Sequence, residues 1–281
     1  MPKSIASIKH YYRSIATESL PYHWLQSWLL TVINQPSSFL ITDGDYVLND
    51  DEWRRFNDGV DQMLSGIPLA YLTGVQAFFG RDFLVNQHTL IPRPDTEILV
   101  QSVLDFIKDN KRANSAKILD LGTGSGCIAI TIAKELPNAD LLGVDFCENA
   151  LMVAKMNAKT LGVDNCRFMQ SDWFGAILPS SQFDVIVSNP PYISKTDTHL
   201  HTLTAEPVTA LVADDDGLAD ICLIAQQSAQ HLFTGGLLAI EHGYNQGACV
   251  REIFENNGYQ QVRTIQDYGS NDRVTLGVLH P

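Results

Sequence analysis

The alternation of short apolar runs with helical segments after residue 116 is the feature that most constrains the fold of this chain. Apolar runs that helices connect are typical of parallel strands in a sheet covered on both faces. Strands are predicted at residues 117–121, 140–145, 166–171, 183–188, 236–241, 261–266 and 273–279. Only residues 267–272 separate the last two runs, which is too short for a right-handed crossover. We therefore predict an α/β domain with a doubly wound, seven-stranded sheet whose last strand is antiparallel.

Residues 1–75 have a different pattern and are predicted to form a small helical domain. Apolar positions within Leu20–Ile33 recur on a helical period, and Pro36 lies just beyond them as a stop signal. A second helix is expected to begin at a cap formed by Asn49 or Asp50. No motif in this part carries chemistry.

Residues 76–97 are predicted to form a β-hairpin and a linker between two domains. Short apolar runs flank Gly80-Arg81-Asp82, which is typical of a hairpin turn. Two prolines then precede an acidic helix start with Asp95 or Thr96 near the cap. The remaining residues, 98–281, form the predicted α/β domain.

Composition and charge narrow the class of protein. The net charge is −13, whereas a broad grip on duplex DNA or RNA needs a basic surface, so direct nucleic-acid binding is not expected. The five cysteines are odd in number and contain no C-x-x-C pair, which indicates reduced thiols and no zinc framework. No apolar run resembles a signal peptide or a membrane span. We expect a cytoplasmic protein with neither a metal site nor a membrane partner.

A glycine-rich loop, within 118-ILDLGTGSGCIAI-130, joins the first predicted strand to a helix. Gly122, Gly124 and Gly126 allow a sharp turn and a close approach of a ligand, and the helix start offers unpaired N–H groups. In dinucleotide enzymes such groups hold pyrophosphate, and the segment 124-GSGCIA-129 also fits G-x-G-x-x-A. A lone glycine motif therefore leaves NAD open as a ligand.

Acidic and aromatic residues near this loop shift the balance toward a cationic ligand. Asp120, expected at the mouth of the loop, would repel a pyrophosphate and suit a sulfonium ligand with an amino group. Asp145 ends the second strand and can hold both ribose hydroxyls of either cofactor. Trp173 can pack on an adenine, with Asp172 accepting from its amino group, or it can be an ordinary core aromatic. These residues favour S-adenosyl-L-methionine over NAD.

The tetrapeptide Asn189-Pro190-Pro191-Tyr192 ends the fourth predicted strand, at the edge where ligands bind such sheets. Its prolines fix φ and remove two N–H donors, so the tetrapeptide is either a rigid turn or a holder for a flat substrate. The Asn189 Oδ1 atom and the Pro190 carbonyl can each accept one N–H bond from an amino or amide nitrogen, and Tyr192 can pack against its plane. Such a nitrogen is a poor nucleophile, so alignment with an activated methyl donor could supply much of the rate without a catalytic cysteine or a His–Asp pair.

Together these motifs resemble the HemK/PrmC family of protein-(glutamine) methyltransferases. Each motif alone is moderately specific, whereas their order and number, from about residue 66 to the end, are very specific. The matching stretches are YLTGVQAFFGRDFLVNQHTLIPRPDTE at 71–97, DLGTGSGCIAI at 120–130, GVDFCENALMVAKMNAKTLGV at 143–163, SDWF at 171–174, DVIVSNPPYI at 184–193, EPVTAL at 206–211, DGL at 216–218 and EHGYNQG at 241–247.

The resemblance implies a class-I methyltransferase fold, which is Rossmann-like, and transfer of a methyl group from S-adenosyl-L-methionine. The acceptor would be the side-chain amide nitrogen of the glutamine in the Gly-Gly-Gln motif of class-I peptide chain release factors. The residues that would hold the methyl donor are Gly122, Thr123, Gly124, Ser125, Gly126 and Asp145, with Trp173 near the adenine and Asn189 beside the donor. Asn189 to Tyr192 would hold the glutamine, and the helical N-terminal domain is expected to recognise the release factor.

Several alternatives and departures stay open at this point. A sister family modifies a glutamine of a ribosomal protein and shares the tetrapeptide, although the stretch from Ile91 to Glu97 favours the release-factor branch. Within that stretch, Asp95 replaces the family's glutamate, and Cys147 replaces serine or alanine after the donor-binding acid. An adenine-N6 DNA methyltransferase should carry a target-recognition insertion and a basic cleft, and neither is evident. An oxidoreductase or a non-enzymatic binding module would leave the tetrapeptide unexplained.

Three further polar residues have no assigned role. Glu241 ends the fifth predicted strand and either shapes the pocket, accepts a proton or makes a structural hydrogen bond. His199 and His201 lie in a long segment near the expected substrate mouth, and their spacing specifies no metal site.

Overall fold

The chain is described by a computed structural model that covers residues 3–17, 20–110, 115–198, 200 and 203–280. Two units make up the fold. The first is Met1–Gly74 with Thr202–Ala205, and the second is Val75–His201 with Glu206–Pro281. The hairpin that the sequence placed in a linker therefore groups with the second unit. Within the described ranges, no helix is both long enough and apolar enough to cross a membrane.

The first unit is helical, as predicted. Its helices are α1 Ile5–Ile15, α2 Tyr22–Ile33, α3 Phe39–Thr42, α4 Asp50–Leu64 and α5 Leu69–Thr73. A capping box starts α4: Asn49 Oδ1 accepts from the Glu52 N–H, and Glu52 Oε2 accepts from the Asn49 N–H, each at 2.9 Å. Helix α2 begins two residues later than Leu20 because Pro21, in an extended conformation, is its N-cap.

The second unit starts with the predicted hairpin, but its turn differs from the prediction. Strand β1 (Val75–Phe78) pairs antiparallel with β2 (Arg81–Leu84), and Arg81 and Asp82 lie in β2 rather than in the turn. Phe79 and Gly80 form the two-residue turn with φ values of 49° and 71°. Two positive φ values in a two-residue loop match the twist of paired strands. The Phe79 N–H donates to Glu97 Oε1 at 2.7 Å, which helps to hold this turn.

The remaining elements of the second unit alternate between strand and helix as the sequence predicts. The helices are α6 Thr96–Asp109, α7 Cys127–Glu135, α8 Glu148–Leu161, α9 Ala219–His231 and α10 Gly247–Asn256. The strands are β3 Lys117–Leu121, β4 Asp140–Asp145, β5 Cys166–Gln170, β6 Phe183–Ser188, β7 Ile193–Ser194, β8 Val212–Ala213, β9 Leu232–Glu241, β10 Tyr259–Gln266 and β11 Asp272–Leu279.

Seven of these strands form one sheet in the order β10-β11-β9-β6-β3-β4-β5. The strands β9, β6, β3, β4 and β5 run parallel, whereas β11 inserts antiparallel between β9 and β10. The predicted antiparallel last strand is therefore confirmed. Strand β9 starts at Leu232, four residues before the predicted start, and a register shift against β6 marks this extension.

Buried side chains cover both faces of this sheet. One cluster joins α6 and α7 to one face through residues such as Val103, Ile130 and Val185. The other joins α9 and α10 to the opposite face through Ile221, Ile224 and Phe254, among others. Covered faces leave the strand ends as the accessible part of the sheet, and the carboxyl ends of the five parallel strands meet at one edge.

Candidate active site

A cavity of about 430 Å³ lies at the carboxyl ends of β3, β4, β5 and β6. Its floor comes from the glycine-rich loop after β3, Asp145 at the end of β4, the stretch after β5, and Asn189 after β6. Residues between 87 and 96 and between 207 and 210 form further walls. The volume falls within the range of small-molecule and cofactor sites, and the position is the usual ligand crevice of such sheets.

The glycine-rich loop has the conformation that its sequence predicts. Gly122, Gly124 and Gly126 all have positive φ values, of 71°, 55° and 81°. A Cβ added at Gly126 would lie 2.7 Å from Ile130 Cδ1 and 3.1 Å from Ala154 Cβ, so this glycine also permits close packing of α7 on α8. Thr123 and Ser125 are buried but contribute to the cavity wall.

The Asp145 carboxylate ties this loop to the end of β4. Its Oδ2 atom accepts from the Gly124 N–H and its Oδ1 atom accepts from the Cys147 N–H, each at 2.8 Å. Burial raises the pKa of Asp145, and the two backbone hydrogen bonds oppose that rise. Each carboxylate oxygen keeps a second lone pair, so Asp145 can accept further hydrogen bonds from a ligand in the cavity.

Asp120 does not reach the cavity, contrary to the expectation that it lies at the mouth of the loop. Its side chain is buried under the loop, where Asp120 Oδ2 accepts from the Thr123 hydroxyl at 2.6 Å. Burial raises the pKa of Asp120 to about 7, against the lowering effect of this hydrogen bond. The hydrogen bond between Asp120 and Thr123 therefore stabilises the glycine-rich loop from its buried side.

Trp173 lies both in the cavity wall and against the core. Its ring is 3.5 Å from the position that a Cβ on Gly122 would occupy. The ring also packs against the buried cluster that includes Ile221, Ile224 and Phe254. Burial raises the pKa of the nearby Asp220 carboxyl group, and the Trp173 side chain opposes that rise. Asp172 and Asp220 also line the cavity, so its described wall carries the acids Asp145, Asp172 and Asp220.

Asn189 and Pro191 are the members of the tetrapeptide that line the cavity. The Asn189 Nδ2 group donates to the Thr96 hydroxyl oxygen at 3.2 Å, and Thr96 is almost fully buried at the start of α6. Pro190 is buried, and neither it nor Tyr192 is among the described lining residues. The predicted packing of Tyr192 against a substrate plane thus remains a prediction.

The end of the tetrapeptide is held by main-chain contacts. Gln246 Nε2 donates to the Tyr192 carbonyl at 3.0 Å, so one lone pair of that oxygen is already occupied. A Cβ on Gly217 would lie 2.1 Å from the same carbonyl oxygen, which explains why a glycine is needed there. Pairing of β7 with β8 extends this support.

Glu241 lies behind the tetrapeptide and is 1% exposed. Its Oε1 atom accepts a hydrogen bond from the Tyr192 hydroxyl at 3.3 Å, whereas its buried Oε2 atom has no hydrogen-bond partner among the described residues. Burial raises the pKa of Glu241 to about 7, whereas the nearby Thr96 and Tyr192 side chains and the charge of Arg273 lower it. The adjacent His242 instead makes structural hydrogen bonds, with Nε2 2.8 Å from Thr275 Oγ1.

An ion pair joins two walls of the cavity. Arg93 Nη2 lies 2.5 Å from Glu206 Oε1, and Glu206 Oε2 also accepts from the Ile91 N–H at 3.1 Å. The Glu206 side chain is 2% exposed. Its ion pair with Arg93 connects the segment around Arg93 to the segment that contributes Pro207, Thr209 and Ala210 to the cavity wall. No sequence pattern predicts this pair, because its partners are 113 positions apart.

Other reactive groups contribute little to the site. Cys127 lines the cavity, but burial raises the pKa of its thiol to about 12, which keeps it protonated. His199 and His201 lie outside the described residues. Among the residues that are described, no group of three or more His, Cys, Asp or Glu side chains is arranged to hold a metal ion.

Thr96 and Asn157 are among the site residues whose roles the sequence analysis did not predict, as is Asp220 in the cavity wall. Thr96 was considered only as a helix cap, although the α6 N-cap Asp95 makes no side-chain capping bond. Asn157 is buried in α8 and its Nδ2 group donates to the Ser125 carbonyl of the glycine-rich loop at 2.9 Å. The signal for Asn157 was a polar side chain at a buried position of the helical pattern. A buried polar side chain needs a hydrogen-bond partner to be stable.

Solved structures with the same fold include a methyltransferase from Pyrococcus furiosus, with a TM-score of 0.54 and 18% identity over 80% of this chain and 100% of that chain. The T. thermophilus 16S rRNA N2 G1207 methyltransferase, solved with AdoMet and guanosine, gives a TM-score of 0.52 and 16% identity over 73% of this chain and 50% of that chain. At these identities the similarity establishes the fold alone.

Sequence comparison identifies the family. Residues 113–274 match the family model "Methyltransferase domain", and residues 20–74 match "PrmC N-terminal domain". A release factor glutamine methyltransferase from Aliivibrio fischeri is 45% identical over 89% of this chain and 87% of that protein. The Escherichia coli protein of the same name is 43% identical over 88% of each chain. This chain therefore belongs to the release factor glutamine methyltransferase family and is a methyltransferase.

Proposed function

We propose that this enzyme transfers a methyl group from S-adenosyl-L-methionine to the side-chain amide nitrogen of the glutamine in the Gly-Gly-Gln motif of class-I peptide chain release factors. The observation that carries the proposal is the placement of an asparagine amide, Asn189, in the same cavity as the glycine-rich loop and Asp145. The names and coverage of the relatives support the release factor as the substrate.

The residues of the cavity fit S-adenosyl-L-methionine better than a dinucleotide. The described lining contains three aspartates, whereas its only arginine, Arg93, is paired with Glu206. Such a wall repels a pyrophosphate and attracts a sulfonium and an amino group. In this proposal the loop from Gly122 to Gly126 cradles the donor, Asp145 binds the ribose hydroxyls, and Trp173 packs near the adenine. Asn189 lies beside the methyl group.

The tetrapeptide supplies the other half of the site. Asn189 Oδ1 and the Pro190 carbonyl each accept one N–H bond from the glutamine amide, Pro191 shapes the wall, and Tyr192 packs near the substrate plane. Two acceptors on one –NH₂ group favour the electron-rich form of the nitrogen and hold it as it becomes tetrahedral. Bound S-adenosyl-L-methionine would supply an electrophilic methyl group, so alignment of the amide nitrogen with it lowers the barrier. Formation of the N–C bond breaks the S–C bond and leaves S-adenosyl-L-homocysteine, and the methylated nitrogen then releases one proton. A thiolate is not required, in keeping with the protonated Cys127 thiol.

Release factors are proteins, so the helical first unit is assigned to recognition of the substrate outside the Gly-Gly-Gln loop. The unit has its own buried core, which includes Leu29, Phe56 and Val60. Among its described residues, no group of three or more His, Cys, Asp or Glu side chains is arranged to hold a metal ion. A protein substrate thus accounts for a domain that the methyl-transfer chemistry itself does not need.

Two measurements test the proposal. Calorimetry should detect binding of S-adenosyl-L-homocysteine but not of NADH. Incubation with an unmethylated class-I release factor and S-adenosyl-L-methionine should add the mass of one CH₂ group to the factor. The Asn189→Ala variant should lose transfer by about 100-fold or more while it retains S-adenosyl-L-homocysteine binding. Binding of NADH, or full transfer by the variant, contradicts the proposal.

A further inference from the structure

We propose that Gln246 is a positioning residue that holds the main chain of the tetrapeptide beside the proposed methyl donor. The inference deepens the proposed function and rests on it. Gln246 is the N-cap residue of α10 and is not among the described residues that line the cavity. It acts through the backbone of Tyr192, the last residue of the tetrapeptide.

The Gln246 side chain makes three hydrogen bonds to main-chain atoms. Its Nε2 group donates to the carbonyls of Tyr192 at 3.0 Å and Asp216 at 3.1 Å, and its Oε1 atom accepts from the Gly243 N–H at 2.8 Å. Carbonyls only accept and a backbone N–H only donates, so these partners fix the orientation of the amide. Gln246 is 8% exposed, so water has little access to these bonds.

The second carbonyl that Gln246 holds belongs to a turn with an uncommon backbone. Asp215, Asp216 and Gly217 have positive φ values of 54°, 52° and 85° in succession. Such conformations are costly for residues with a side chain and persist where neighbouring contacts determine them. The bond to the Asp216 carbonyl is one such contact. A Cβ on Gly217 would lie 2.1 Å from the Tyr192 carbonyl oxygen, so the turn packs directly against the end of the tetrapeptide.

The tetrapeptide needs an anchor of this kind because its own backbone offers few donors. It connects β6 to β7 and belongs to neither strand. Pro190 and Pro191 have no N–H group. The Tyr192 carbonyl is therefore a point at which the rest of the protein can hold this main chain. Gln246 binds that carbonyl, and Gly217 packs against it.

Loss of the anchor at Tyr192 would move the proposed acceptors of the substrate amide. Those acceptors, Asn189 Oδ1 and the Pro190 carbonyl, lie earlier in the same segment. The two prolines restrict φ, so a shift at one end of the segment is transmitted to the other. A misplacement of about 1 Å between reacting groups can cost about 100-fold in rate. Loss of the anchor should therefore lower kcat more than it raises KM.

The central test is Gln246→Glu, which conserves shape and keeps an acceptor for the Gly243 N–H. It removes both donated bonds and places a carboxylate against the carbonyls of Tyr192 and Asp216. We expect kcat for methylation of a class-I release factor to fall by about 10- to 100-fold and KM to change by less than about threefold. The dissociation constant for S-adenosyl-L-homocysteine should change by less than about twofold, because its proposed ligands are untouched.

Asn257→Asp is the matched control, because it makes the same change from amide to carboxylate at the other end of α10. Asn257 Nδ2 donates to the Ile253 carbonyl at 2.8 Å. A negative charge is favourable at the N-terminus of a helix and unfavourable at its C-terminus, so the helix itself predicts more harm from the control. We expect Asn257→Asp to keep kcat within about twofold of the wild-type value. An equal fall in both variants would overturn the positioning role.

Gly217→Ala gives an independent test that acts on the same carbonyl, for the case that Gln246→Glu fails to fold. The added methyl group cannot fit 2.1 Å from the Tyr192 oxygen, so that carbonyl must shift. We expect kcat to fall by about tenfold or more. Gly162→Ala is its control, because Gly162 also has a positive φ, of 64°, but nothing lies within 4 Å of its added Cβ. That control should retain kcat within about twofold.

A double-mutant cycle separates positioning from a general structural role. Gln246→Met removes all three hydrogen bonds without adding a charge, and alone it should lower kcat by about tenfold or more. In a Gly217→Ala background the Tyr192 carbonyl is already displaced. We expect the loss caused by Gln246→Met to shrink to less than about threefold there. The same fold-loss in both backgrounds would show that Gln246 does not act through this carbonyl.

The outcomes distinguish this inference from the proposed function. If the wild-type enzyme methylates no release-factor glutamine, the proposed function fails and the inference falls with it. If the wild-type enzyme is active but the Gln246 and Gly217 variants retain its kcat, only the inference is overturned. An equal loss of S-adenosyl-L-homocysteine binding and of kcat would also overturn it, because it indicates general damage. A selective fall in kcat, active controls and a non-additive cycle support it.

Discussion

The support of the glycine-rich loop by Asn157 yields a prediction that can be worked from the structure. Asn157 Oδ1 accepts from the Leu84 N–H at 2.7 Å, and its Nδ2 group donates to the carbonyls of Leu84 at 3.0 Å and Ser125 at 2.9 Å. The side chain is 1% exposed. It therefore links α8 to β2 of the hairpin and to the loop that forms the cavity floor.

Asn157→Ala removes all three hydrogen bonds at once. At about 1 kcal/mol for each bond, the free energy of unfolding should fall by about 3 kcal/mol. For a unit of this size, that loss corresponds to a decrease in Tm of about 6–12 °C. The released Ser125 carbonyl should also loosen the loop, and about 1 kcal/mol of lost preorganisation would weaken S-adenosyl-L-homocysteine binding by about fivefold.

Asn165→Ala is the matched control for this experiment. Asn165 Nδ2 contacts three carbonyls, those of Ala133, Leu136 and Ala139, at 3.1–3.2 Å. Among the described residues, its side chain makes no hydrogen bond to the glycine-rich loop. Thermal unfolding should show a loss in both variants, whereas calorimetry should show weaker binding only in Asn157→Ala. Equal dissociation constants in the two variants would refute the proposed link between Asn157 and the cavity.

Three further predictions concern charge and the first unit. Burial holds the folded-state pKa of Asp120 at about 7, above its ordinary value of 3.8, so its contribution to stability is complete below about pH 4 and is lost as the pH rises through 7. Denaturation should therefore show a smaller fall in stability between pH 5 and 8 for Asp120→Asn, and an unchanged slope would contradict this. Glu206→Gln weakens the pairing with Arg93 and should raise KM for the release factor several-fold, whereas Arg167→Ala, which breaks an exposed ion pair, should leave the kinetics unchanged. Deletion of residues 1–74 should raise KM for the intact factor more than for a short Gly-Gly-Gln peptide, and equal effects would refute the recognition role.

The sheet of the second unit was predictable because its signals are local. Each strand is a short apolar run, and the six residues before the final strand exclude a crossover. The Asn49 cap is equally local, because its partner Glu52 is three positions away. Such features depend on spacing along the chain, which the sequence shows directly.

The support behind the site was not predictable in the same way. Asn189 is 93 positions from Thr96, and Tyr192 is 49 positions from Glu241, so no periodicity connects these partners. The burial of Asp120 depends on how the loop folds over it, which strand patterns do not reveal. The turn at Phe79 was missed because an aromatic residue rarely adopts a positive φ.

The most direct test of the central claim is tandem mass spectrometry that locates the added methyl group on a class-I release factor treated with this enzyme and S-adenosyl-L-methionine. The proposed site predicts one methyl group on the side-chain amide nitrogen of the Gly-Gly-Gln glutamine, and none on a factor in which that glutamine is changed to alanine. A methyl group on another residue, or equal labelling of the altered factor, would contradict the account.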